Sequence, residues 1–316
     1  MRDFGINEKM TPSVLQDACD VSILVVGFNS SSFLGSAIGS IGGATLRHSY
    51  EVRFVNNGTD DSEDTVLGLF PDVIVLPSIG NIGFGAANNY LARDAKGAWI
   101  LLLNPDTRLE PFAIDLLLEA VEQDGEFGIL GGLSISRAGK PLAMSRLEFP
   151  TLRRILFKGI GKGDAPLPPF NAQEVFEADA VSGGFMLITR DWWDRLGGFD
   201  EQFFLYSEEL DLCCRLRQLG GRVGLVAAAR VMHDVGSGEP ANPSRTLFMM
   251  RGSATFYRKH FSAPYAHACL LAHWASCAAR FFIGSLLAPF DSGWALKARS
   301  MRGVTLRPLS WYRGYR

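Results

Sequence analysis

Cysteine is scarce in this chain of 316 residues, and no cysteine spacing matches a zinc site. The five cysteines are scattered, and none belongs to a Cys-x-x-Cys pair: Cys19, Cys213, Cys214, Cys269 and Cys277. An odd, scattered set favours reduced thiols over a disulfide framework or a zinc site. GxGxxG and GxxxxGK(S/T) motifs are also missing, which weakens an assignment as a dehydrogenase or an ATPase.

The N-terminal segment lacks a continuous apolar stretch, and the chain contains no low-complexity tract. The sequence therefore predicts a folded, cytoplasmic protein without a secretory signal. Its length allows one large domain or two modest domains. Nothing in the sequence points to a nucleic-acid partner, and the oligomeric state is left open.

The formal net charge of −2 hides an uneven distribution. Residues 241–316 carry 11 Lys and Arg residues against one acid, whereas residues 1–240 carry 20 basic and 32 acidic residues. A basic, apolar tail suits peripheral contact with the inner face of an anionic cell membrane. A tail packed on its own domain or on a second subunit explains the same pattern equally well.

The segment 266–288 is long enough to span a membrane, although it is only moderately apolar. Inserting its Arg280 would cost about 2.5 kcal/mol or more. Leu270 and Cys277 share one helical face, and His273 and Arg280 share another. We therefore expect an interfacial or packed amphipathic helix rather than a span.

Strands and helices alternate four times in the first 125 residues. Short apolar runs at 20–27, 52–55, 73–76 and 99–103 each precede a helical pattern. The alternation predicts a doubly wound, mostly parallel α/β sheet with helices on both faces. Ligands of such sheets bind beyond the carboxyl ends of the strands.

Beyond residue 125 the pattern is less regular. It predicts further strands at 129–135, 143–149, 180–189, 222–225 and 230–233. Helices are predicted at 190–196 and 207–219, and 159–171 has the composition of a mobile loop. Because no linker is evident before residue 240, we expect a catalytic domain over 1–240 and a helical C-terminal region over 241–316.

Two residues that follow apolar strands are candidates for holding a metal ion. Asp106, in the turn after the strand at 99–103, can bind a divalent cation that also contacts a diphosphate. The same carboxylate can instead cap the next helix. His233 can bind a metal or a phosphate, or can make an ordinary structural hydrogen bond.

Glu208 and Glu209 begin a predicted helix and differ in facing by about 100°. Only one of them can therefore point squarely into a cleft, where it could accept the proton of an attacking hydroxyl. Acids at this position also suit the helix dipole, which is the alternative reading. The amides of Asn56, Asn81 and Asn88 can bind a nucleotide base, ribose or phosphate, although Asn57-Gly58 is also a strong turn signal.

Seven segments in a fixed order resemble the bacterial family 2 glycosyltransferases, above all the rhamnosyltransferases and their galactofuranosyltransferase relatives. They are VSILVVGFNSSSFLGSAIGSI, VNNGT, NIGFGAANN, LLLNPDT, SGGFMLI, LGGFDEQFFLYSEELDLCCR and VMHDVGSG, and they cover roughly residues 20–260. Each motif is weak alone, but their shared order is specific. The resemblance implies a GT-A fold, in which a nucleotide-sugar-binding sheet continues into an acceptor-binding part.

Members of this family transfer a sugar with inversion in a single, metal-assisted displacement. The resemblance implies that Glu209 is the catalytic base and that Asp106 and His233 bind Mg²⁺ or Mn²⁺ with the donor diphosphate. It assigns further residues to the nucleotide-sugar side: Phe28, Asn29, Asn56, Asn81, Phe84, Asn88 and Asn104. It assigns others to the acceptor side: Gly183, Gly184, Phe199, Asp200 and Glu208.

Three positions depart from the family pattern. Asn56 stands where an acid is usual. Its amide can still form a hydrogen bond with thymine or uracil, but it lacks the negative charge of a carboxylate. Asn104 replaces the first acid of the DxD motif, a change common in this branch. Glu209 is one methylene longer than the usual Asp.

The resemblance implies an inverting transferase that moves L-rhamnose from dTDP-rhamnose onto a saccharide or polyprenyl-linked glycan in cell-surface polysaccharide synthesis, such as that of O-antigen. A UDP-sugar-dependent transferase of galactofuranose, glucose or N-acetylglucosamine is the close alternative. A nucleotidyltransferase would need a GxGTR-like loop, which GFNSSS does not provide. The three departures also leave room for a silent glycan-binding homologue.

Overall fold

The computed structural model describes residues 19–159, 167–169, 174–233 and 243–315. The first half follows the predicted alternation, with four strands: β1 (Cys19–Gly27), β2 (Tyr50–Asn56), β3 (Ile74–Leu76) and β4 (Gly97–Leu103). The connecting helices are α1 (Ser31–Gly39), α2 (Ile41–Ala44), α3 (Ser62–Leu69) and α4 (Phe84–Ala92). These strands are parallel, in the order β3-β2-β1-β4.

The sheet then becomes mixed. It continues from β4 through β10 (Phe185–Thr189), β6 (Phe127–Ile135), β11 (Arg222–His233) and β5 (Thr107–Leu109). β10 runs antiparallel to both of its neighbours, and β8 (Val175–Glu177) pairs with β11. The remaining strands and helices of this half are β7 (Arg146–Leu147), β9 (Ala180–Val181), α5 (Ala113–Gln123), α6 (Leu152–Gly159), α7 (Arg190–Leu196) and α8 (Glu208–Gln218).

Four predicted strands differ from the structure. The single strand expected at 180–189 is split into β9 and β10, because the chain leaves one sheet for the other across Ser182-Gly183-Gly184. The strands expected at 222–225 and 230–233 are one strand, β11, whose register against β6 shifts after Val226. The strand expected at 143–149 is a short 3₁₀ turn followed by β7, and α6 begins soon after it. Most of the loop predicted at 159–171 lies outside the described residues.

β4 illustrates how the core forms on both faces of the sheet. Leu101 and Leu103 pack on the side of α1 and α5, whereas Ile100 and Leu102 pack on the side of α4 and α8. All four side chains are almost fully buried. Burying each such side chain contributes about 1.5–3 kcal/mol, so a continuous apolar strand suits this central position.

Three helices complete the chain: α9 (Pro243–His260), α10 (Ala263–Leu287) and α11 (Ser292–Leu306). Their buried residues, among them Tyr257, Leu270 and Val304, form one core with Ile155 of α6 and Phe203. Within the described part of the chain, α10 is the one helix long and apolar enough to cross a membrane, with a mean hydropathy of 1.4. The predicted domain boundary at residue 240 lies outside the described residues and stays a prediction.

A buried ion cluster joins α8 to α9. Asp211 has no exposed surface and lies 2.7 Å from each of three cationic groups, on Arg215, Lys259 and His260. Burial opposes the charge of Asp211, but these hydrogen bonds outweigh it and lower its pKa to about 2. Burial likewise works against a charged His260, but its bond to Asp211 prevails and raises its pKa to about 9.

A close contact also joins the loop before α4 to the loop before α8. The amide of Phe84 donates to the carbonyl of Phe204 at 3.0 Å. Gly83 has a φ of +90°, and a Cβ at this position would lie 2.3 Å from the same carbonyl oxygen. Both the backbone conformation and the available space therefore require glycine at this position.

We expect the stability of the protein to fall between pH 6.5 and 9 because of His260. Below pH 6.5 the imidazole is protonated in both the folded and the unfolded chain, so the ion pair contributes fully. Between pH 6.5 and 9 only the folded chain keeps the proton, and up to roughly 3 kcal/mol is lost. Urea unfolding at pH 6, 8 and 9.5 measures the free energy of unfolding. In His260→Gln this free energy should depend less on pH than in the wild type, whereas in His267→Gln, at an exposed position, it should follow the wild type. Equal slopes for all three proteins would contradict this assignment.

Gly83→Ala should destabilise the protein more than Gly80→Ala does. Both glycines have positive φ, but a Cβ at Gly80 meets nothing within 4 Å. Gly80→Ala should therefore cost only backbone strain, on the order of 1 kcal/mol. Gly83→Ala adds a steric clash of about 1–3 kcal/mol. Urea unfolding of the two variants measures the difference in their stability. Equal midpoints would show that the loop containing Phe204 moves away from the added Cβ at no cost.

Candidate active site

Asp106 and His233 form a pair because β5 and β11 are antiparallel neighbours. Thr107 lies opposite His233 in this pairing, so Asp106 lies just before it. His233 Nε2 is 3.1 Å from Asp106 Oδ2, and the His233 side chain is nearly buried. Thr107 Oγ1 donates to the carbonyl of Asn104 at 2.6 Å and closes the turn that carries Asp106.

This pair fits a divalent cation in its chemistry. Mg²⁺ and Mn²⁺ favour carboxylate oxygen, and imidazole is a common metal ligand. The described residues contain no cluster of three or more His, Cys, Asp or Glu side chains suited to a metal. Further ligands would therefore come from a donor diphosphate and water, as is usual for Mg²⁺ beside phosphates.

Gly183 and Gly184 connect the region of this pair to the two glutamates. The carbonyl of Gly184 accepts from the amide of Asn104 at 2.9 Å, and a Cβ on Gly184 would lie 2.9 Å from Asn104 Nδ2. A Cβ on Gly183 would lie 3.2 Å from the ring of Phe84 and 3.8 Å from Cβ of Glu209. The Gly183-Gly184 segment thus lies between Asn104 and Glu209. A side chain on Gly184 would clash with Asn104.

Glu208 and Glu209 open α8 in different surroundings. Glu208 is 4% exposed, and its Oε2 has no hydrogen-bond partner among the described residues. Burial raises the pKa of Glu208 well above its usual range, and the charge of Glu209 adds to the effect. Burial also raises the pKa of Glu209, although backbone hydrogen bonds at the helix start oppose it. The upward shift is larger for the enclosed Glu208, so half-buried Glu209 is the member of the pair that ionises at lower pH.

The turn before α8 fixes the direction of these carboxyls. Tyr206 and Ser207 both have left-handed backbone conformations, with φ of 68° and 74°. Such conformations cost about 1–3 kcal/mol each and persist only where the surroundings enforce them. α9 supplies that support, because a Cβ at Gly252 would lie 2.1 Å from the Tyr206 carbonyl oxygen.

Glu209 lines a cavity of about 410 Å³ that extends to α6, α9 and α10. Asp106 and His233 do not line this cavity. They are connected to it through Asn104 and the Gly183-Gly184 segment. The predicted metal ligands and the predicted base therefore lie on neighbouring parts of one region rather than in a single enclosed chamber.

The predicted nucleotide residues lie in the loops after β1 and β2. Phe28 is 55% exposed, and Asn29 Oδ1 accepts from the amide of Thr59 at 3.4 Å. The Asn56 amide is used within its own loop, where it donates to the Asp60 carbonyl and accepts from the Gly58 amide. Asn56 therefore shapes the loop in the observed arrangement.

Sequence reasoning missed Asp60 as a site residue. Its Oδ2 accepts from the Ser31 amide and the Ser62 hydroxyl, while its buried Oδ1 has no partner in the described chain. Burial disfavours the charge, but the hydrogen bonds from Ser62 and Ser31 prevail and lower the pKa of Asp60. A free carboxylate oxygen at this end of the sheet can accept an N–H of a pyrimidine. Its position four residues after Asn56 was the available signal.

The other predicted amides mainly hold the loop before α4. Asn81 Oδ1 accepts from Asn57 Nδ2 and from the Gly83 amide. Asn88 Nδ2 donates to the Phe84 carbonyl, and its Oδ1 is buried without a partner among the described residues. Asn57, which sequence reasoning treated as a turn residue, thus links this loop to the end of β2.

The residues expected on the acceptor side separate into two groups. Gly183, Gly184 and Glu208 lie beside Glu209 as described above. Phe199 is 2% exposed and packs its ring against Trp193 and Phe84, so it supports the site from within the core. Asp200 is ion-paired with Lys259.

Comparisons with known proteins identify the family and the fold of this chain. Residues 18–251 match the family model described as glycosyltransferase like family 2. The chain is 28% identical over 244 residues to an N-acetylglucosaminyl-diphospho-decaprenol L-rhamnosyltransferase of Mycobacterium tuberculosis, covering 71% of this chain and 79% of the relative. It is 30% identical over 164 residues to rhamnosyltransferase WbbL of Escherichia coli K12, covering 49% of this chain and 61% of that protein.

A solved structure of similar shape is a mannosyltransferase from Pyrobaculum calidifontis in complex with GDP-Man and Mn²⁺. It matches with a TM-score of 0.58 at 16% identity, over 93% of this chain and 88% of that one. This likeness shows the GT-A fold. The family model, which spans most of the chain, establishes that the protein belongs to glycosyltransferase family 2.

Proposed function

We propose that this glycosyltransferase inverts the anomeric centre of its donor and transfers L-rhamnose from dTDP-rhamnose. The acceptor would be a saccharide attached through diphosphate to a polyprenyl lipid, on the route to a cell-surface polysaccharide. The observation that carries the proposal is the meeting of the Asp106–His233 pair and Glu209 on the two sides of Gly183-Gly184.

In this reaction Glu209 would accept the proton of an acceptor hydroxyl while the hydroxyl oxygen bonds to C1 of the sugar. The bond from C1 to the diphosphate oxygen breaks on the opposite face, and the electron pair leaves with the nucleotide diphosphate. Burial raises the pKa of Glu209, which makes the ionised carboxylate a stronger base. Glu208 keeps its proton, so the acceptor would meet one carboxylate charge rather than two.

Asp106 and His233 would hold the donor diphosphate together with a divalent cation. When bound, Mg²⁺ or Mn²⁺ neutralises negative charge on the departing diphosphate. His233 lies 3.1 Å from Asp106 in a nearly buried position, so its ring can contact a phosphate oxygen without first reorienting.

The proposed donor rests on the names of two relatives, both rhamnosyltransferases. Asp60 would supply the acceptor for a pyrimidine N–H that Asn56, occupied in its loop, does not provide. Thymine and uracil present the same N–H, so a UDP-sugar remains the alternative donor. The acceptor proposal follows the relative from Mycobacterium tuberculosis, whose name specifies a glycosyl diphosphate lipid.

A lipid-linked acceptor would bring the protein to the inner face of the cell membrane. The end of α10 and the residues after it carry large exposed apolar side chains, including Phe282, Leu286 and Phe290. The C-terminal region also has the strongly basic balance that anionic lipids attract. We therefore propose peripheral contact through residues 241–316.

Glu209→Gln should lower turnover by about 10²-fold or more, because the amide cannot accept the acceptor proton. Donor binding should change little. Initial rates with saturating donor and acceptor measure the effect, and Glu122→Gln on the exposed surface of α5 provides the matched control. Wild-type turnover in Glu209→Gln would remove this residue from the role of base.

A panel of dTDP-, UDP- and GDP-sugars tests the function as a whole. We expect acceptor-dependent release of dTDP from dTDP-rhamnose, and loss of that activity when EDTA removes divalent cations. Restoration by Mg²⁺ or Mn²⁺ would identify the preferred ion. Turnover with UDP-sugars alone would select the alternative donor, and release of pyrophosphate instead of a nucleotide diphosphate would contradict the proposed reaction.

A further inference from the structure

Apart from the residues at the start of α8, the cavity beside Glu209 is built by parts of the chain that the family motifs do not include. They are the segment around β7, the helix α6 and the C-terminal helices α9 and α10. Its volume of about 410 Å³ is within the range of small-molecule sites, roughly 300–1,000 Å³. Apolar side chains form much of its wall: Met144, Leu147, Pro150, Ile155, Leu210 and Met249.

Positive charge predominates in the lining. Four cationic side chains line the cavity, Arg146, Arg154, Lys158 and Arg280, against two acids, Glu148 and Glu209. Arg154 is neutralised by Glu148 and by Asp179 just outside.

Arg280 is the cation best placed for an anionic ligand. Its guanidinium donates to the carbonyl of Lys158 at 2.9 Å, and no carboxylate in the described chain pairs with it. That bond holds Arg280 beside the Lys158 end of α6. A guanidinium fixed by one hydrogen bond still has donors free for phosphate oxygens, which it can bind in a bidentate manner.

His273 is influenced by the positive charge of the same lining. It lies two helical turns before Arg280 on α10, and its Nδ1 is 3.2 Å from the Tyr257 hydroxyl. Burial, followed by the charge of Arg280, lowers the pKa of His273 to about 4. The imidazole is therefore neutral at physiological pH and, with the hydroxyls of Ser253 and Ser276, offers uncharged hydrogen-bonding groups.

We propose that this cavity binds a glycosyl diphosphate acceptor, with the diphosphate on Arg280 and a sugar hydroxyl at Glu209. The assignment rests on the proposed function and specifies its acceptor subsite. Asp106 and His233 do not line the cavity, so this diphosphate site is separate from that of the nucleotide donor. The protein would thus bind two diphosphates at once, one leaving with the nucleotide and one retained on the acceptor.

Kinetics with two matched acceptors test the assignment. One is an alkyl N-acetylglucosaminyl diphosphate, and the other is the alkyl glycoside of the same sugar without phosphate. Arg280→Gln should raise KM for the diphosphate acceptor by about 10- to 100-fold, the worth of a charge-assisted hydrogen bond. It should leave kcat, the KM for the donor and the KM for the neutral glycoside within about threefold.

Arg299→Gln is the matched control, because Arg299 is an exposed arginine on α11 that does not line the cavity. It should behave as the wild type with both acceptors. An equal loss with both acceptors in Arg280→Gln, or no loss with either, would overturn the assignment. A raised KM for the donor would show instead that Arg280 serves the nucleotide.

A binding measurement separates this proposal from the proposed function. Calorimetry with lipid-free N-acetylglucosaminyl diphosphate, in EDTA so that the metal-dependent donor site does not contribute, should show binding that Arg280→Gln weakens about tenfold and Arg299→Gln does not. No binding to the wild-type protein would overturn the subsite even if transfer to the neutral glycoside occurs. Binding that depends on Arg280, without transfer from any nucleotide sugar, would uphold the subsite and contradict the proposed function.

Discussion

Asp211 has no solvent-exposed surface, and its charge is balanced by cations from two different helices. Replacing Asp211 would remove the carboxylate that its cationic partners share, and breaking a buried ion pair in this way costs about 3–5 kcal/mol. The cluster fixes α8, which begins with the two glutamates, to α9, which forms one wall of the cavity. The position of the Glu209 carboxyl in the cavity therefore depends on an ion cluster centred on Asp211, two residues further along α8.

The regions proposed for the donor and for the acceptor are joined by backbone contacts. Gly83 allows the loop before α4 to lie close to the carbonyl of Phe204. The side chain of Asn57, at the end of β2, makes hydrogen bonds to the same loop. Gly183 and Gly184 connect the Asn104 turn with Glu209 in a similar way. Short contacts of this kind, made through glycine, keep the reacting groups in register without a dedicated hinge.

The sequence predicts the first half of the fold well, because β1 and β4 are continuous apolar runs followed by regular helical patterns. The pairing of Asp106 with His233 could not be predicted from local pattern, since it depends on β5, a strand of three residues, lying antiparallel to β11. The split at Ser182-Gly183-Gly184 was missed for a related reason: periodicity does not show when a chain changes sheets.

The cavity was also beyond local sequence reasoning. His273 and Arg280 were expected on one face of a helix, but only tertiary packing brings that face against α6 and close to Glu209. In the sequence Arg280 served only as an argument against membrane insertion. In the structure it lines the cavity. The family motifs end before α10, so they give no information about this part of the site.

The walls of the cavity differ in stiffness. A Cβ at Gly252 would lie 2.1 Å from the Tyr206 carbonyl oxygen, so α9 packs directly against the turn before α8 and leaves no space for a side chain between them. α6 is shorter, buries mainly Ile155, and leaves Leu156 and Phe157 largely exposed. Elements with few buried contacts open at lower free energy than the core does. If the proposed acceptor site is correct, acceptors of different bulk would be accommodated by displacement of α6, while the carboxyl proposed as the base stays in place.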